Sequence, residues 1–491
     1  MSVVKRQGIK NTLYGYIGIV LGIISTLYIQ PFFLSKEEIG LTRTIISASI
    51  ILAVVSNLGT TITSVKFLPL FFNPEKKHNG FFTLVLLFPL IGFIVNFALI
   101  FTFKESILHF YGVNSIIFET YAIPIILMTL FNCWVSSFSS YCNAINKSSL
   151  ATVVNEVVSR VIFIVCIILL YFGVTTQSTY IYSLSLSYLI QMVILFFVIN
   201  HFDHPTFSLS FFKNNIHLRQ IVVFGLTTSF IQITGIGLKY IDVIFVGKYE
   251  TMKDVGVYTI AAFIGLVLET PLNAIERIAG TKIAKLFMAN NMLEIEKIYK
   301  LSSKYLMLFC GFFGAILITC INPVLSLLPN DYSAGTWVTI IVCLGAFFNS
   351  VTGVNYSIIT YSAYYKLSAI FYAALLVVTV WLNMWLIPLY GITGAAIASC
   401  IISVIHNLLR FILIKVKFNM QPFTLDSLKI VFIVCASVLI SYTISVENKY
   451  LLVILRGMAS SIIFIGLLIL LKVFSIKEIK TEIASFKQTF M

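Results

Sequence analysis

Charge is scarce in this sequence. Of its 491 residues only 11% are Asp, Glu, Lys or Arg, while 59% are hydrophobic, which excludes an ordinary soluble globular protein. Cysteine chemistry is lacking too. The eight cysteines (133, 142, 166, 310, 320, 343, 400 and 435) contain no CxxC and lie in or beside apolar runs, so they read as small core residues rather than disulfide or metal partners. Six histidines supply only one HxxH, His201 and His204, in the polar stretch "NHFDHPTF"; no metal ligand set and no cofactor site follow from them. No phosphate-binding loop, nucleophile elbow or Gly-rich dinucleotide turn occurs, so the chain is expected not to be an enzyme. The period-two alternation of an outer-membrane barrel is also absent.

What remains is a succession of apolar runs. A helix needs about 20 residues to cross a hydrocarbon core of about 30 Å, and such runs recur from end to end. The expected fold is an all-α polytopic membrane protein with about 14 transmembrane helices, at 11–33, 43–70, 80–103, 117–141, 150–172, 178–199, 220–246, 255–280, 303–328, 335–361, 367–387, 391–414, 428–445 and 450–472. The first is too long for a cleavable signal peptide.

Basic residues set the orientation. With the N-terminal "KRQGIK" in the cytoplasm, the even loops and both tails carry 24 Lys and Arg, against 6 in the odd loops (Lys36, Arg43, Lys104, Lys248, Lys253, Lys449). Both termini are therefore expected to be cytoplasmic. The net charge of +14 is then a topology signal facing anionic lipids, and no nucleic-acid partner is implied. Two charged stretches with helical apolar spacing, 290–305 and the tail "FSIKEIKTEIASFKQTF", read either as helices on the inner membrane surface or as solvated linker helices.

The chain repeats itself. "SKEEIGLTRTI" (35–45) recurs as "TMKDVGVYTIA" (251–261), placing Gly40 over Gly256 at an offset of 216. "FGVTTQ" recurs as "YGITGA", with Gly173 over Gly391 at 218, and Lys147 falls over Lys366 at 219. Three landmarks at nearly one offset imply two six-helix halves, residues 1–205 and 206–416, followed by two extra helices and an amphipathic tail at 417–491. Six is even, so the bundles are parallel and are expected to surround a central cavity that opens alternately to each side.

Ionisable residues inside apolar runs cost at least about 2.5 kcal/mol each at a helix centre, so each is a candidate functional group. Arg160 lies near the middle of the fifth run, one turn above Glu156; it either forks a substrate phosphate or is neutralised by Glu156. Lys239 and Asp242, at i and i+3 in the seventh run, form a second charged station, with Lys239 toward substrate and Asp242 in gating or structure. Glu269, next to Pro271, is a candidate protonatable coupling site or a structural acid at a kink. Asn57 and Asn273 occupy equivalent repeat positions and, with Gln191, Gln232 and Asn355, offer hydrogen bonds to sugar hydroxyls or to neighbouring helices. Arg456 is expected to snorkel outward and Arg410 inward.

An Asp near the end of the seventh run, a short polar link, and then an acid followed by G-x-Y ("KYIDVIFVGKYETMKDVGVYTIAAFI") resembles the polysaccharide-transporter branch of the multidrug/oligosaccharidyl-lipid/polysaccharide exporter superfamily. The first half carries a degenerate copy in which Thr42 replaces the usual Tyr. The resemblance implies a flippase, in a bacterial inner membrane, for undecaprenyl-pyrophosphate-linked glycan units such as those of O-antigen. It implies a cationic cavity, drive from an ion gradient (H+ or Na+) or the membrane potential, and contact with polysaccharide polymerase machinery. The alternatives are a multidrug or cation antiporter of the same superfamily, which should line its cavity with acids and aromatics, and a lipid II flippase. A membrane glycosyltransferase or polymerase would need sizeable outer loops, and the odd loops here are short.

Overall fold

Lipid offers no hydrogen-bond partners to a peptide backbone, so each apolar run can cross only by closing its own N–H to C=O ladder. The computed structural model describes residues 3–71, 73, 77–213 and 217–473. Among these residues it has fourteen helices long and apolar enough to cross a membrane, and no strand. They are α1 (Leu13–Phe33), α2 (Lys36–Ser56), α3 (Phe82–Thr102), α4 (Ala122–Ala144), α5 (Ser148–Tyr171), α6 (Gln177–Asp203), α7 (Leu218–Tyr249), α8 (Met252–Met288), α9 (Met292–Leu327), α10 (Ser333–Val351), α11 (Tyr365–Tyr390), α12 (Ile392–Phe418), α13 (Leu425–Tyr442) and α14 (Lys449–Leu470). The amphipathic tail at 474–491 lies outside the described residues.

By packing, the chain divides into two units, residues 1–256 and 257–491. In the first, α4 packs against α2, α3 and α6, while α7 lies along α2 and α1 along α5. Its core is aromatic, built on Phe67, Phe81, Phe82, Phe138, Tyr141 and Phe211. Beside it the fully buried His78 ring meets Asp203 Oδ1 at 2.7 Å, and the Tyr141 hydroxyl donates to the other oxygen of the same carboxylate.

Local sequence explains where the helices start and break. Ser35 and Glu38 form a reciprocal cap on α2: the Glu38 N–H donates to Ser35 Oγ at 3.2 Å and the Ser35 N–H donates to Glu38 Oε2 at 2.8 Å. The expected single run at 43–70 is two helices, α2 and Thr60–Phe71. Between them Leu58 (φ 49°) and Gly59 (φ 74°) are left-handed, and a Cβ on Gly59 would collide with the Gly225 carbonyl of α7. Two π-helical turns interrupt the ladder, Ile24–Ile29 in α1 and Val153–Val158 in α5. At the crossing of α2 with the start of α8, the aligned repeat glycines face each other: a Cβ on Gly40 would strike the Met252 carbonyl, and one on Gly256 the Lys36 carbonyl.

In the second unit α9 is the hub, touching α8, α10, α13 and α14, and α12 packs on α10 and α11. The 290–305 segment is not a separate surface helix. It is the first part of the 36-residue α9, and Ile295, Ile298 and Tyr299 are fully buried against Ala279, Ile283 and Ile358. Two arginines expected to snorkel are instead buried. Arg456 donates from Nε, Nη1 and Nη2 to the carbonyls of Ile444, Thr319 and Tyr442 at 3.0–3.1 Å. Arg410 donates to the Tyr372 hydroxyl at 2.8 Å and lies over the Tyr356 and Tyr372 rings. Free carbonyls and aromatic faces inside the bundle replace the interfacial water that snorkelling would have sought. All eight cysteines are free and six are buried.

Candidate functional site

Within the first unit, helices α1, α2, α4, α5, α6 and α7 enclose a cavity of about 480 Å³. Both π-helical turns border it. The turn in α1 brings Ser25 and Thr26 to the wall, and that in α5 brings Asn155 and Glu156. A π turn adds one residue to the helical repeat and re-aims the side chains there, which is why such turns collect at functional sites.

Glu156 and Arg160 both line this space, 3.6 Å apart from Oε2 to Nη2, with 43% and 35% of their side chains exposed. Room for them comes from α1. A Cβ on Gly22 would sit 2.5 Å from Arg160 Nη1, and one on Gly18 2.6 Å from Glu156 Cβ. The Arg160 Nε is buried without a hydrogen-bond partner among the described residues, so the Glu156 contact leaves the guanidinium incompletely satisfied.

Lys239 and Tyr240 of α7 line the same cavity. The Lys239 ammonium lies 5.6 Å from the centre of the Tyr240 ring. Asp242 is absent from the cavity wall and accepts a bond from the Val243 N–H at 2.8 Å.

Arg43 is the charged wall residue that sequence reasoning missed. Starting the second run at 43 made it an outer-loop residue, whereas α2 begins at Lys36 and carries Arg43 two turns inward, onto the cavity wall. The signal was present in "SKEE", a Ser-x-x-Glu capping box that fixes the helix start. Among the described residues Arg43 and Lys239 form no ion pair. The wall thus carries three cations and one acid, together with the amides of Gln30, Asn132, Asn155 and Gln191 and several hydroxyls. Chemically such a wall can bind anionic groups through its cations and hydroxyl groups through its amides.

The remaining candidates lie elsewhere. Asn57 is buried, its Nδ2 donating to the Cys133 carbonyl, Ser136 Oγ and Ser137 Oγ, and its Oδ1 accepting from the Thr61 N–H; its amide is used in joining α2 to α4 at the helix break. Gln232 accepts from Thr61 Oγ1. Asn273 and Glu269 belong to the second unit. Asn273 is exposed, and Glu269 accepts from Asn349 Nδ2 at 3.0 Å at the head of a polar chain running through Asn407 to Asn355. Among the described residues no cluster of His, Cys, Asp and Glu suits a metal ion.

Helix count and topology give a fold shared with solved membrane transporters. In particular, the chain is similar to the lipid II flippase MurJ in its inward closed conformation, with a TM-score of 0.73 over 93% of this chain and 98% of the other, at 16% identity. It is also similar to an inward-facing MATE-family multidrug resistance transporter (TM-score 0.62, 85% and 98% covered, 14% identity). A third likeness is to a MOP transporter from Pyrococcus furiosus with a binding pocket of reverse polarity (0.54, 84% and 96%, 12%). At these identities the likeness is one of fold. No family model matches the chain, and no curated protein matches it in sequence.

Proposed function

We propose that this protein is a flippase of a bacterial inner membrane that carries undecaprenyl-pyrophosphate-linked oligosaccharide units, of the O-antigen or capsule type, from the cytoplasmic to the outer leaflet by alternating access. The observation that carries the reading is the cavity wall, where Arg43, Arg160 and Lys239 outnumber Glu156. A pyrophosphate takes up that excess positive charge, with Arg160 supplying a bidentate fork, and the surrounding amides and hydroxyls receive sugar hydroxyls. A cation exporter needs the opposite balance. Glu269, joined to the asparagine chain of the second unit, is the group we assign to coupling with H+ or Na+. Contact with the polymerase that consumes the flipped unit belongs to the same reading.

A second reading, transport of lipid II, is favoured by the likeness to MurJ and uses the same wall, since both cargoes carry the same lipid pyrophosphate. Deleting the gene in its host and analysing lipid-linked sugars by mass spectrometry separates the two. Accumulation of one defined oligosaccharide on the cytoplasmic leaflet, relieved by the wild-type copy and not by Arg160→Ala, is expected; accumulation of lipid II selects the second reading. No accumulation, with altered tolerance to cationic drugs, overturns both.

A further inference from the structure

A second cavity lies on the far side of α2 from the cationic one. Arg43 and Ile46 face the cationic cavity, whereas Ala48, Ile51 and Leu52 face an apolar groove of about 630 Å³. Its other walls are the ends of α3 and α4, Ile244 of α7, and the short helix Lys104–Tyr111. The groove sits among lipid-facing side chains: Phe101 on its rim is 81% exposed. Lys104 and Glu119 are the charged groups of its lining, which also includes Tyr111.

The closing helix is anchored. Asn114 Nδ2 donates to the carbonyls of Gly247 and Glu250 at 2.9 and 3.0 Å, and the Lys248 ammonium lies 3.4 Å from the centre of the Phe110 ring. The groove is therefore a fixed feature of the α3–α4 connection and the end of α7, with a volume and lining typical of a ligand pocket.

The mouth determines the occupant. Lys104 Nζ and Glu119 Oε1 stand 4.0 Å apart, with 57% and 50% of their side chains exposed, so their hydrogen-bonding capacity is largely unspent. A headgroup carrying a phosphate and an ammonium on a two-carbon linker matches this pair, phosphate on Lys104 and ammonium on Glu119. A purely anionic headgroup, or a prenyl diphosphate, would set its charge against Glu119. We propose that the groove holds one chain of an aminophospholipid of the phosphatidylethanolamine type, clamped by Lys104 and Glu119, as a resident lipid bracing the outer surface of α2. The proposal stands apart from the identity of the transported cargo.

Native mass spectrometry of the full-length protein, released from vesicles of equal phosphatidylethanolamine and phosphatidylglycerol content, tests it. The expected result is one retained phosphatidylethanolamine per chain, lost in Ile126→Trp, which fills the groove. Glu119→Lys, at a half-exposed side chain, should turn the preference toward phosphatidylglycerol by at least about threefold. Retained lipid that mirrors the vesicle composition, a preference unmoved by Glu119→Lys, or a retained prenyl phosphate in its place would each overturn the proposal.

Discussion

Gly22 has no side chain, yet the placement of Arg160 depends on that lack. An alanine methyl there would meet the tip of a flexible side chain, 2.5 Å from Nη1 and 2.9 Å from Cζ, and the guanidinium can swing away at little cost to the fold. Gly18→Ala would meet Glu156 Cβ at 2.6 Å and the Glu156 carbonyl oxygen at 3.1 Å, where only the helix can yield. Overpacking of that kind costs about 1–3 kcal/mol. Gly22→Ala is therefore expected to cut transport at least about tenfold, the equivalent of 1.4 kcal/mol, with protein in the membrane unchanged. Gly18→Ala should lower the amount of folded protein; quantitative blotting beside the lipid-linked sugar assay distinguishes them. Arg456 is the opposite case, a charge whose role is structural. Removing it strands three carbonyls, each costing about 1–3 kcal/mol when left unsatisfied, so Arg456→Ala should lower the melting temperature of the purified protein strongly. Arg456→Lys, a point charge without the fork, should rescue it only in part.

Helix boundaries and breaks decide what the elements can do. Hydropathy made all fourteen spans legible, because a twenty-residue apolar run has one physical solution in lipid. The repeat pointed at Gly40 and Gly256, and the structure supplies the reason for pairing them: each glycine admits the other segment's backbone. Hydropathy does not register a break that keeps its residues apolar, so Leu58 and Gly59 were read through as span. Nor does it register a π turn, which depends on one extra residue rather than on composition; Ser25 and Thr26 escaped notice for that reason. Arg43 was hidden by a boundary set from charge when the cap at Ser35 had fixed it seven residues earlier. Partners outside the local sequence, such as the Tyr356 and Tyr372 rings over Arg410, were beyond any spacing argument. The glycine crossing yields a prediction of unusual sign. Gly→Ala inside a helix normally stabilises by about 1 kcal/mol, but here the methyl would enter a carbonyl of the facing segment, and neither backbone can rotate away. Gly40→Ala and Gly256→Ala should each lower thermal stability in detergent. A stabilised Gly40→Ala would mean that the close approach is not maintained in the membrane.

At the scale of the whole molecule, the sequence has 33 basic residues against 19 acidic ones, and the part of that balance that bears on the proposed cargo is the part on the cavity wall. Like charges held together on one low-dielectric wall repel one another, an arrangement that an incoming anion relieves. The sign of that preference is testable without knowing the sugar. A charge pair at 4 Å is worth about 4 kcal/mol at an effective dielectric constant of 20 and about 1 kcal/mol in water, and an open cavity lies between these limits. Arg43→Ala and Lys239→Ala should therefore each lower flipping of a lipid-linked pyrophosphate by about tenfold or more. Glu156→Gln, which removes the acid without creating a void, should leave transport within about twofold of wild type. A cation exporter reverses every sign: Glu156→Gln abolishes transport and the two alanine variants preserve or improve it. Measuring the three variants side by side, for accumulated lipid-linked sugar and for tolerance to cationic drugs, gives opposite patterns for the two kinds of transporter that share this fold.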